Sequence, residues 1–504
     1  MTITVSSGQT SSGQTLSSGD VENILSGGSA TSTTVSSGGA LHVLGGGYAS
    51  ELFLLSGGHA VVSSGGQLVS GIVAFGAALS IAGGQDSFTT ISGGAETVTA
   101  GGVVTSDTVS GGGMLIVKAG GAAVATTVGY KMLVSSGGTA TGTKIEAGSV
   151  TVYNGGVVSG TEVGLEGQLT ISSGAVDNKG FVQNNGNENV DRGGRAIGTN
   201  VASGGVQNVN SGGTTTGTIA AGEQYVAGGG TASGTTVGQF GVQLVVGKAL
   251  KTKVEANGLQ EVAVGVASQT TVSAFAGLLL ISGGTSVSAT VLGHGNEVVS
   301  SGSTASATTL KGGTITVSSG GTASGTHVLS GGTLVYAGGA VSGTVFSTGA
   351  SEVVEDGAKV GGLVVGKGVT LTVSSGAAAN GTILNGGKEI LAAGAIAGGT
   401  TTFKAQGSLA FEGSRALTVS GFAATNMVDL LGYKFNATQK ISFTENAAKT
   451  KGTLTITEGA LHATLTLFGN YVAAGFHRKT DGAGGTQLTY TPPASPHAEI
   501  AAKS

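Results

Sequence analysis

Short runs of alternating aliphatic and polar residues, about three to five long, are separated by glycine pairs, and the unit returns about every 18 residues. Its most regular segment reads Thr33-Thr34-Val35, Gly142-Thr143-Lys144-Ile145, Gly160-Thr161-Glu162-Val163, Gly198-Thr199-Asn200-Val201 and Gly325-Thr326-His327-Val328. From Val35 to the equivalent Phe403 the mean period is about 18.4 residues, with single steps of about 17 to 20. Alternate side chains of a strand face opposite ways. The middle residue changes from copy to copy (Thr34, Lys144, Glu162, Asn200, His327) while its neighbours stay Thr and aliphatic. The variable position therefore faces water, and the Thr and the aliphatic residue face inward. The same alternation turns Leu41 and Val43 inward around His42, and Val150 and Val152 inward around Thr151.

A period this short is one coil of a β-solenoid. The pattern predicts an all-β chain with residues 1–405 stacked as about 20 coils. At roughly 4.8 Å per coil that is a rod on the order of 100 Å long. Glycine pairs supply the corners, and inward Thr or Ser hydroxyls are expected to bond corner backbone. The punctuation fades near Gln406. Longer alternating runs follow at 416–419, 440–443, 453–456 and 462–467, and a turn at 481–485 leads into 486–490. Residues 406–490 are expected to form a β-rich cap that covers the exposed end of the stack and carries a secretion signal, and 491–504 a tail.

Composition narrows the function. Glycine fills 98 of 504 positions, but three prolines and no triplet register exclude collagen. Mean hydropathy of +0.30 with 10% charged residues excludes disorder. A net charge of −4 without a basic cluster gives no footing for nucleic acid. There is no cysteine, so thiol chemistry and disulfides are absent. Residues 1–20 lack the basic and apolar regions of a cleaved signal, and no apolar run is long enough for a transmembrane helix.

The repeats, for example Ser318-Ser319-Gly320-Gly321-Thr322-Ala323-Ser324-Gly325-Thr326-His327-Val328 and Val134 through Thr143, resemble the AIDA-type repeats of bacterial autotransporter adhesins. That resemblance implies a right-handed parallel β-helix, export to the surface of a Gram-negative bacterium, and adhesion, aggregation or biofilm formation through self-association. It also implies glycans on exposed Ser or Thr. The segment from Gly469-Asn470-Tyr471 to Thr486 is similar to the C-terminal regions of one-step (type I) secreted repeat proteins, which implies export without a cleaved N-terminal signal.

No catalytic constellation and no cofactor are read from the chain, so it is expected not to be an enzyme. The seven histidines fall on separate coils, so no metal site is expected. Gly83-Gly84-Gln85-Asp86 lacks the spacing of a calcium-binding nonapeptide. The Thr of the repeat points inward, which argues against an ice-binding plane. The densest polar stretch holds Asp177, Asn185, Glu188, Asp191, Arg192 and Arg195, and departs enough from the repeat to suggest a protruding loop. These six are the candidate glycan-binding residues, and a carbohydrate-active or glycan-binding β-helix protein working there is the rival to an adhesive rod. Glu352, Glu355, Asp356 and Lys359 read as a solvated face. Expected partners are another copy of the chain, glycans, or a host or matrix surface.

Overall fold

The computed structural model describes residues 1–493, and the chain divides into two compact units at Thr270/Thr271. The last eleven residues of the expected tail, 494–504, lie outside the described residues. No helix among the described residues is long and apolar enough to cross a membrane.

In the first unit most coils carry three strands, and in two of them the second and third run together as Tyr48–Leu54 and Gln67–Ala74. One coil runs Val21–Ile24, Ser29–Thr31 and Thr34–Val35 before the next begins at Ala40. Every strand pairs in parallel with its counterpart one coil away, at offsets between 17 residues (Ala78 beside Ala95) and 19 (Thr2 beside Val21). The unit is thus a parallel β-solenoid, as the period predicts. Five side chains of this coil turn inward and are buried: Glu22, Ile24, Ala30, Thr33 and Val35. Both residue types at the glycine corner have a cause. Gly27 sits at φ 75°, and a Cβ on Gly28 would run into the Val5 carbonyl of the preceding coil. The bend between second and third strands needs a single residue at positive φ, supplied by Gly142, Gly160 and Gly198 in some coils and by Ser32, Ala125 and Lys179 in others.

The second unit continues the same plan, with offsets of 18 (Thr333 beside Ser351) to 20 residues (Lys388 beside Ser408). The parallel ladder runs past the boundary expected at 405: Ser408–Glu412 pairs with Met427–Leu431, and Thr400–Phe403 with Arg415–Ser420. Antiparallel pairing then ends both ladders. Leu461–Phe468 joins Arg415–Ser420 in parallel and carries the antiparallel strands Lys451–Glu458 and Lys440–Glu445. Thr486–Tyr490 closes on Met427–Leu431, with Phe476–Thr480 outside it. The 481–485 turn is held by Asp481, whose Oδ1 accepts from the amides of Ala483 and Gly485 at 2.7 Å each. Phe443, Tyr471, Phe476 and Tyr490 cluster here, with ring centroids 4.9 to 6.5 Å apart.

Candidate functional site

The unusual chemistry of this chain lies inside the coils. The second residue of each first strand faces inward, and in the first unit this column is aliphatic at Leu41, Leu79, Leu115 and Leu169 but polar at Glu22, Glu96, Glu188, Gln207, Gln224, Gln243 and Gln260. Asp86 and Asp177 add carboxylates from second strands, and Asp107 occupies the inward position that Thr33, Thr89 and Thr126 hold elsewhere. In the second unit Glu297, Glu352 and Glu389 extend the pattern. Among the described residues no lysine, arginine or histidine is buried with them.

Four glutamines form a ladder. Gln260 donates through Nε2 to Gln243 Oε1 at 2.6 Å, Gln243 to Gln224 at 2.6 Å, Gln224 to Gln207 at 2.7 Å, and Gln207 to Glu188 Oε2 at 2.8 Å. A threonine of the same coil also donates to each amide oxygen: Thr218 to Gln207, Thr235 to Gln224, Thr252 to Gln243 and Thr270 to Gln260. The ladder ends where Glu188 meets Asp177. Gly180 stands there in place of the usual threonine, and a Cβ on it would collide with the Asp177 carboxylate. Burial, and then the charge of Glu188, push Asp177 well above the usual carboxylate range, and burial pushes Glu188 up as well. Burial and mutual repulsion thus favour a proton held within this pair.

Solitary interior acids are each met by a hydroxyl: Thr33 donates to Glu22, Thr308 to Glu297 at 2.8 Å, Tyr336 to Glu352 at 3.0 Å, and Thr382 to Glu389 at 2.8 Å. Burial raises Glu297, Glu352 and Glu389 to about 7. The trio Asp86, Glu96 and Asp107 is different. It brings one oxygen from each residue within 4.8 Å of the others. Burial raises Asp86 to about 6 and Asp107 to about 8, and lifts Glu96 well above its ordinary range. Most inward hydroxyls with a hydrogen bond thus serve interior side chains rather than corner backbone; Thr89 does both, accepting from the Gly71 amide at 3.2 Å.

Of the six residues expected to form an outer glycan site, only Asp177 and Glu188 meet, and they meet inside the core rather than on a surface. Asp177 and Glu188 point into the core and are fully buried. Asp191 and Arg192 lie at the corner after the first strand, Arg195 opens the next strand, and Asn185 lies at the corner before Asn187–Val190. No loop protrudes: 176–178, 181–182, 187–190 and 195–197 are ordinary strands in register with neighbouring coils. The expected solvated face loses Glu352, which is buried against Tyr336, while Glu355, Asp356 and Lys359 are exposed. The interior acids escape a reading of the sequence that equates charge with solvent exposure. The signal was present: Glu96 aligns with Leu79 and Leu115, and Glu297 with Leu278 and Ile315.

The outer face is repetitive. Second strands present Thr139/Thr141, Thr214/Thr216 and Thr231/Ser233 in the first unit, and Thr304/Ser306 and Thr322/Ser324 in the second. Thr141 and Ser159 lie 3.3 Å apart across one coil step. Lys144 and Glu162 pair at 3.8 Å on adjacent third strands.

No family model matches the chain, and no curated protein matches it. Among solved structures it is similar to the hyper-glycosylated fragment of TibA produced by TibC catalysis, at 25% sequence identity over 71% of this chain and 92% of that one, with a TM-score of 0.29. An alignment at that score adds nothing to the fold described above.

Proposed function

We propose that the chain is an exported adhesive protein whose coils act by repetition, holding another copy of itself, a glycan or a matrix surface through many weak contacts. The observation that carries this reading is the recurrence of outward Thr and Ser pairs on second strands, stacked across a coil step at Thr214/Thr216 beside Thr231/Ser233 and at Thr304/Ser306 beside Thr322/Ser324. Individually such contacts are weak, but a partner that engages several coils at once gains by effective concentration. The resemblance of the repeats to AIDA-type adhesins supports the same reading, extends it to biofilm formation at a bacterial surface, and makes the outward hydroxyls sites for glycans. The Asp481 turn and the strands around it are the proposed export determinant.

The test places charge on the ladder. Thr139→Glu, Thr214→Glu and Thr231→Glu change only outward side chains, so the fold should survive while like charges face one another between copies. Bead-coupled full-length chain should clump, and the triple variant should not. Undiminished clumping by a folded triple variant would remove the second-strand face from the mechanism.

A further inference from the structure

We propose that Asp86, Glu96 and Asp107 form an interior site for a hard divalent cation, with calcium the best fit, independent of whatever the outer surface binds. Two successive coils supply it: Gln85–Ser87 carries Asp86, Ala95–Thr99 carries Glu96, and Asp107 precedes Thr108–Ser110. Thr89 positions both aspartates. Its hydroxyl donates to Asp86 Oδ1 at 2.9 Å, and its amide donates to Asp107 Oδ1 at 3.0 Å. Each aspartate is left with Oδ2 buried and unpartnered. Independently of that bracing, Glu96 is completely buried, and its oxygens meet no N–H or hydroxyl donor and face only the carboxyls of Asp86 and Asp107. The solitary interior acids each meet a Thr or Tyr hydroxyl, whereas Glu96, like Asp177, has no such donor on either oxygen.

Geometry selects the ligand. Oxygens bound to one calcium at about 2.4 Å can lie no more than about 4.8 Å apart, and one oxygen from each of the three carboxylates falls within 4.8 Å of the others. One proton bridges one pair of oxygens and a second is needed to bridge the other, whereas a single divalent cation reaches all three carboxylates at once. An all-carboxylate set without nitrogen or sulfur suits calcium, magnesium or manganese rather than zinc or copper. Two positive charges and one retained proton make the trio neutral. The walls are apolar: Leu79 and Leu115 flank Glu96, and Leu68 and Val104 flank Asp86. The ion must therefore be taken up as these coils stack, which couples binding to folding.

The repeat itself supplies replacements that should fold: Glu96→Leu copies Leu79 and Leu115, Asp107→Thr copies Thr89 and Thr126, and Asp86→Ala copies Ala123. The full chain is refolded from denaturant with calcium or with EDTA, desalted, and assayed for bound metal and thermal midpoint. The site predicts stoichiometric calcium and a midpoint several degrees higher at free calcium roughly 100-fold above its dissociation constant. The triple variant, shown to be folded by its β-sheet circular dichroism, should retain no calcium and lose the shift. Two results would overturn the proposal: a wild-type chain that holds no metal and melts alike in calcium and EDTA, or a triple variant that keeps both the metal and the shift.

Discussion

Four glutamines at 207, 224, 243 and 260 and three carboxylates at 86, 96 and 107 occupy the same dry interior of the first unit, yet only the glutamines complete their hydrogen bonds. An amide carries a donor and an acceptor, so identical side chains one coil apart satisfy one another, and the inward threonines fill the remaining lone pairs. A carboxylate only accepts. Stacked acids need an outside proton, hydroxyl or cation, and the trio has hydroxyl and amide donors for two of its oxygens alone. The lesson is that a solenoid core can be polar wherever the repeat supplies complementary partners, and that a stretch without them marks a place where something else binds.

The comparison breaks most severely when an acceptor replaces a donor inside the ladder. Gln224→Glu sets a carboxylate against Gln207 Oε1, and should cost about 3 to 5 kcal/mol in denaturant unfolding of the full chain. A change of a few tenths would mean that water reaches the ladder.

Next in size, residue for residue, is a pH effect in the second unit. The carboxyls of Glu297, Glu352 and Glu389 are raised by burial to about 7 in the folded chain, so the folded state holds protons that the unfolded state releases near pH 4.5. Their contribution is fully present below the unfolded value and is lost as pH rises through about 7. Each is worth on the order of 3 kcal/mol across that window. Thermal midpoints should fall from pH 5 to pH 8, and the triple Glu→Gln variant should flatten the profile. An unchanged slope in that variant would locate the proton linkage elsewhere.

Position within the ladder gives a smaller difference. Gln224→Leu strands the Gln243 amide donor and the Thr235 hydroxyl, at a cost of about 1 to 3 kcal/mol. Gln260→Leu strands no amide, because Gln243 Oε1 still accepts from Thr252, and should cost less than half as much. Equal costs would show that the bonds act singly rather than as a ladder. The smallest effect is at the corners. Ala125 and Ala307 hold φ of 53° and 54°, where other coils use glycine, so Ala→Gly there should stabilise by about 0.5 to 1 kcal/mol. A loss of stability instead would mean that unfolded-chain entropy outweighs the strain.

Much of this was legible in the residues. The 18-residue period gave the coil, glycine pairs gave its corners, and the constancy of Thr326 and Val328 around His327 gave its inside and outside, all as observed. The cap's strands were visible as longer alternating runs. What escaped was the meaning of charge. Asp107-Thr108-Val109 is the same segment as Thr89-Thr90-Ile91, so Asp107 had to be inward by the rule that buried Thr326. Its meeting with Asp86 and Glu96 was harder to see, because it depends on how three separate columns of adjacent coils converge across the interior. The outer cluster from Asp177 to Arg195 failed for the converse reason: closeness in sequence was taken for closeness on a surface, while the strand alternation sends Asp177 and Glu188 inside.

The claim that the coils act together through a repeated outer face is tested most directly by removing whole coils in register. Deleting residues 131–222 joins Tyr130 to Glu223 and takes out five successive coils between equivalent positions of the first strand. Clumping of beads that carry the full chain should fall steeply with this deletion, and by an intermediate amount when only 131–148 are removed. Clumping that stays the same across the series would contradict an avidity mechanism and assign adhesion to a single local site.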